Sequence, residues 1–272
     1  MRLTEPNPIV KLLVLLTYIG MVAVNAMANI LPINRITTGD VSDAYPNLFA
    51  PAGVTFAIWG LIYLLLAVYA VYQLGFFQKY KNIVKDPLLN QVGILFSISS
   101  LANIGWIFAW HYRLIPYSMA LMGVILLCLS LINHKIRQVT LTSSEKLMIR
   151  LPFSVYFGWI TVATIANATT LLVDMAWNRF GLSEVTWTVA ILIVGILIGV
   201  VTTIKNKDIA YGLVLVWAYG GILLKHLSQA NFNFQYPPIV YTAMACIVLV
   251  LLVIINGMLS EVRQDRRKID SL

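Results

Sequence analysis

Eight stretches of this chain run for 16 to 23 residues without one Asp, Glu, Lys, Arg or His: 12–31, 54–74, 92–110, 114–133, 151–173, 185–204, 209–224 and 239–259. A helix needs about 20 mostly apolar residues to cross the hydrocarbon of a bilayer, where every backbone N–H and C=O must be satisfied internally. The pattern predicts an all-α polytopic bundle of eight transmembrane helices, with the lipid bilayer as its first partner. The seventh stretch is the shortest and is expected to continue past Lys225, whose long side chain can snorkel to the interface.

The 19 basic residues fall between these stretches, and they alternate. One side collects Arg2, Lys11, Lys79, Lys81, Lys85, Lys135, Arg137, Lys146, Arg150, Lys205, Lys207, Arg263, Arg266, Arg267 and Lys268. The other holds Arg35, Arg113, Arg179 and Lys225. A 15-to-4 split is a positive-inside signal. It predicts a multi-pass protein of the cell membrane with both termini in the cytoplasm, which requires an even number of spans. The first stretch exceeds the apolar core of a cleaved signal peptide and is read as a retained helix.

Only 11 % of the residues are charged and 60 % are hydrophobic. The composition excludes disorder, and the basic residues are too scattered for a nucleic-acid-binding patch. Ion pumps, proton-coupled carriers and voltage sensors place ionisable groups inside the membrane, and these stretches contain none. A retinal-type Schiff base would have only Lys225, at a span end. His111, His134 and His226 share no ligand spacing, and no metal site is expected. Cys128 and Cys246 lie mid-span as small apolar residues. Nucleophilic triads, phosphate-cradling glycine loops and paired carboxylates are absent, and Asp40 and Asp43 read as solvated loop residues. Chemistry within the membrane is left to aromatic rings, amides and hydroxyls, which suit a neutral or planar aromatic ligand better than an ion.

Several such groups share helix faces. Asn25 and Asn29 stand one turn apart, as do Trp59 and Tyr63. Asn103 precedes Trp106 by three residues, with Trp110 a further turn along, and Trp159 precedes Asn167 by two turns. For each amide the alternatives are an interhelical hydrogen bond or a ligand contact. Gly195-x-x-x-Gly199 permits close helix approach, within the chain or between the protomers of a homodimer. The first connection, 32–53, is 22 residues long, and its prolines and Gly53 fix a defined path, as expected of a lid over an intramembrane pocket.

Three stretches resemble the TspO/translocator protein family, the tryptophan-rich sensory proteins. Phe49-Ala50-Pro51-Ala52-Gly53 followed by Phe56, Trp59 and Tyr63 is similar to that family's lead into its second helix. Asn103-Ile104-Gly105-Trp106 with Pro116, and Trp159 through Val162-Ala163 to Asn167, are similar to its helices three to five. Gly53 and Trp59 stand one residue closer than the family spacing, and Val54 and Val155 occupy positions where the family has Trp and Pro. After the fifth helix Trp177 and Arg179 are present without the tyrosine of the family's lipid-recognition pattern.

The resemblance covers residues 10–173 and implies a five-helix domain over 1–177, extended by three further helices and a basic cytoplasmic tail over 178–272. It implies a receptor or carrier for a tetrapyrrole or another hydrophobic molecule. The ligand site would use Pro51, Gly53, Trp59, Tyr63, Asn103, Trp106, Trp159, Ala163 and Asn167. No cofactor is required, a porphyrin or haem-like molecule being a candidate ligand. No span offers an obvious axial haem ligand. The alternatives are a secondary transporter of a small uncharged or aromatic solute and a porphyrin-degrading enzyme. The first lacks a visible internal repeat, and the second lacks an acid, base or nucleophile in the spans.

Overall fold

The computed structural model describes residues 7–31, 33–76 and 86–270, with the backbone alone at 86 and 261–270. Arg2, Pro32, Lys79, Lys81 and Lys85 lie outside the described residues. The helices are α1 (Pro8–Ile30), the short α2 (Thr38–Asp43), α3 (Ile58–Gln73), α4 (Asp86–His111), α5 (Ile115–Arg137), the single turn α6 (Ser143–Glu145), α7 (Leu151–Asp174), α8 (Glu184–Asn206), α9 (Ile209–Leu227) and α10 (Pro237–Asp270). Eight of them are long and apolar enough to cross a membrane. The regular structure of the described residues is all helical.

Local sequence sets the helix ends. Asn7 caps α1 by accepting from the Ile9 N–H, and Pro8, Pro116 and Pro152 sit in the first turns of α1, α5 and α7, where a missing N–H costs nothing. Ser183 caps α8 with Glu184 in its first turn, and Asp208 caps α9. The seventh span runs through Lys225 to Leu227 as expected. Two helices outrun their apolar stretches. α7 is preceded by a π turn over Lys146–Arg150, so helix begins before the uncharged stretch does. α10 carries on to Asp270, which makes the basic segment after residue 260 a helical continuation.

The chain divides into two compact units. The first comprises Met1–Asn47 and Ala57–Trp177. In it α1 packs on α3 and α4, α4 on α5, α5 on α7, and α7 back on α3, closing a ring of five helices. Every residue of α7 from Pro152 to Val162 is buried. Gly93 on α4 lets α1 approach, for a Cβ there would stand 2.6 Å from Val10 and 3.1 Å from Val14.

The second unit comprises Leu48–Phe56 and Asn178–Leu272. Its helices α8, α9 and α10 pack pairwise. Gly195 and Gly199 are buried, and Gly199 faces Leu215 of α9. The small-residue motif is therefore spent inside the chain, where lipid supplies no hydrophobic drive and close contact supplies the attraction. Leu48–Phe56 docks on α9 although it precedes α3 in sequence. The Ala52 N–H donates to the Gly221 carbonyl at 3.0 Å, and Trp217 Nε1 donates to the Thr55 carbonyl at 2.9 Å. The Leu48 carbonyl can only accept, so His226 Nε2 carries the proton shared over 2.9 Å. Gly221 is required there, since any Cβ would collide with Thr55.

Candidate functional site

The ring of five helices gathers seven of the nine residues expected to hold a ligand. Trp59 and Tyr63, one turn apart on α3, stack at 5.6 Å with 18° between their planes. Trp59 also meets Trp106 of α4 at 6.5 Å, and Tyr156 and Trp159 of α7 edge-on at 6.0 and 6.2 Å. Its indole is thus surrounded by four rings from three helices. Trp106 stacks in turn on Trp110 at 5.6 Å. Trp59, Tyr63 and Ala163 remain partly exposed, whereas Asn103, Trp106, Trp159 and Asn167 are buried.

The two amides differ. Asn167 Oδ1 accepts from Trp106 Nε1 at 2.8 Å, and its Nδ2 donates to Ser118 Oγ of α5 at 3.0 Å. Both ends of that amide therefore join helices. Asn103 Oδ1 accepts from Asn25 Nδ2 of α1 at 2.7 Å. The buried hydroxyls of Tyr63 and Ser100 have no hydrogen-bond partner. The Tyr156 hydroxyl is hydrogen-bonded by the Asn103 side-chain amide. Buried polar atoms without partners are uncommon and costly in a low-dielectric interior. Here the Tyr63 hydroxyl is carried by the ring stacked on Trp59.

Within the first unit, residues 34–45 of the first connection are tied to the ends of α4 and α7. Thr37 and Asp40 form a reciprocal capping box at the start of α2: Asp40 Oδ2 accepts from the Thr37 N–H and hydroxyl, each at 2.8 Å. Those bonds hold the Asp40 carboxyl below the ordinary aspartate range. Asp40 is a structural cap on an exposed loop. Trp110 Nε1 donates to the Thr38 carbonyl at 3.1 Å, and Asn34 Nδ2 to the His111 carbonyl at 3.0 Å. His111 Nδ1 donates to the Ile107 carbonyl at 2.8 Å, which leaves Nε2 to accept from the Thr38 hydroxyl at 3.5 Å. Tyr45 bonds Asp174 at the end of α7, and desolvation with that carboxylate pushes the phenol pKa up.

Pro51 and Gly53 belong to the second unit, in the segment that docks on α9. Sequence reasoning missed two participants. Tyr156 stands three residues before Trp159 and so shares its face, a signal that was legible. Ser118 carries none, because its role depends on which helix lies opposite.

A family model described as TSPO-like protein matches residues 11–256. The match runs beyond residue 173, where the recognisable motifs end, and takes in α8, α9 and most of α10. No curated protein and no solved structure matches the chain.

Proposed function

The chain belongs to the TSPO-like protein family of membrane-helix bundles, and from that premise we propose that it binds a planar hydrophobic molecule of the tetrapyrrole type within the membrane, as a sensor or carrier. The observation that carries this reading is the Trp59 cluster: four rings around one indole, with the buried Tyr63 hydroxyl lacking a protein partner. Indole and phenol faces stack on a macrocycle. The Tyr63 hydroxyl pairs with an acceptor at its edge, such as a carboxylate or carbonyl. Asn167 acts indirectly, fixing the plane of Trp106 through its 2.8 Å bond.

Titration of the purified protein with protoporphyrin, followed by the Soret band, tests the reading. Trp59→Phe is expected to weaken binding about tenfold, the worth of one aromatic contact with its lost area. Equal affinity in the variant would count against it. We also infer cytoplasmic termini from the 15-to-4 distribution of basic residues. A Lys205→Cys variant should then react with an impermeant thiol reagent only from the cytoplasmic face, and labelling from outside would reverse the topology.

A further inference from the structure

The second unit carries a groove that the ligand reading does not use. It has a volume of about 220 Å3 and lies where α8 ends, α9 begins and α10 passes. That is smaller than the ~300–1,000 Å3 typical of a drug-sized site. Ile204, Ile209, Val253 and Ile254 form its apolar wall, and Lys207, Asn256 and Ser260 form its polar rim. We propose that this groove holds the headgroup of an anionic phospholipid, with Lys207 as the charged contact to its phosphate.

Three observations point to a lipid. The first is depth. The apolar span of α8 closes at Asn206 and that of α10 at Ser260, so the groove sits at the level where hydrocarbon gives way to headgroups. The second is two-faced chemistry, an aliphatic wall for the acyl chain below a cation and an amide for the phosphate. The third is charge. This end of the unit carries Lys205 and Lys207, and the sequence of α10 continues into Arg263, Arg266, Arg267 and Lys268, interspersed with Glu261, Asp265 and Asp270. Basic pockets between membrane helices favour acidic lipids. Asp208 also borders the groove, but it is buried and its Oδ1 accepts the Tyr211 N–H at 3.1 Å as the cap of α9.

Lys207 is one of nine non-glycine residues with positive φ among the described residues. It closes α8 in the left-handed region, at φ 46° and ψ 54°, where glycine is the easier residue. A lysine at that position brings an ammonium to the rim at a conformational cost. The same geometry supplies a clean variant, because Lys207→Gly suits the cap while removing the charge. Gly257→Leu is the second: a Cβ at Gly257 meets nothing within 4 Å, so the new side chain fills open groove.

Native mass spectrometry of the full chain in neutral detergent, titrated with phosphatidylglycerol, phosphatidylcholine or inorganic phosphate, tests the site. Lys207→Gly is expected to bind phosphatidylglycerol about fivefold more weakly, the weight of one lysine against an acidic headgroup. Gly257→Leu is expected to lose the lipid with Lys207 intact, and Lys205→Ala to bind as wild type. Phosphatidylcholine is expected to bind independently of residue 207, and inorganic phosphate not to displace the lipid. Retention by either groove variant, an equal loss in Lys205→Ala, or displacement by inorganic phosphate would overturn the proposal.

Discussion

The five-helix unit contains two aromatic clusters, about 15 Å apart along α3, and they are built differently. Around Tyr69, its ring meets Phe153 at 4.6 Å and Phe96 at 5.5 Å, and all three side chains are fully buried. Polar atoms there are paired: the Tyr69 hydroxyl donates to Gln73, Gln73 Nε2 to the Leu89 carbonyl, and the Tyr72 hydroxyl to Glu145. Around Trp59 the rings are looser, two of them are partly exposed, and the buried Tyr63 hydroxyl lacks a partner. The same residue types make a sealed core at one end and a looser, partly exposed cluster at the other. What separates them is the accounting of hydrogen bonds.

The largest effect should come from the sealed end. Phe153→Ala empties a fully buried ring position and is expected to cost about 3–5 kcal/mol, read as a drop in the unfolding midpoint in detergent. Ligand affinity of the surviving folded protein should stay as wild type. Next comes Trp106→Phe, which keeps the ring but leaves Asn167 Oδ1 without its strongest donor. A loss of about 1–3 kcal/mol is expected, because a buried acceptor is left unmade. A double-mutant cycle with Asn167→Leu should recover most of that loss as coupling. Finding the two substitutions additive would remove the bond from the account.

The smallest effect concerns pH. The Asp40 carboxyl is held below its ordinary value, so its capping contribution is complete at neutral pH and is lost only as pH falls through that lowered value. The Thr37 amide resonance should therefore keep its bonded position through the usual carboxylate range near pH 4 and move only below it. An earlier shift would mean that the capping box is open in solution.

Much of this was legible in the sequence, for stated reasons. Absence of charge is a local property, so eight spans could be read from it, and the continuation of the seventh past Lys225 followed from snorkelling. Helix periodicity put Trp59 with Tyr63 and Asn103 with Trp106 on common faces. Which partner each face meets was not legible. The bond from Asn167 to Ser118 spans 49 residues and depends on the order of helices around the ring. The docking of residues 48–56 on α9 joins positions 162 and 178 apart, through the collision-free surface of Gly221. No motif announces that, and it places Pro51 and Gly53 in the other unit.

The central claim is that an unpartnered hydroxyl beside Trp59 is there for a ligand. Tyr63→Phe tests it most directly, since it deletes that hydroxyl and leaves the stacked ring in place. Measured together, the unfolding midpoint of the ligand-free protein should hold or rise, and protoporphyrin affinity should fall several-fold. A lower midpoint with unchanged affinity would show the hydroxyl to be a structural bond and would contradict the account.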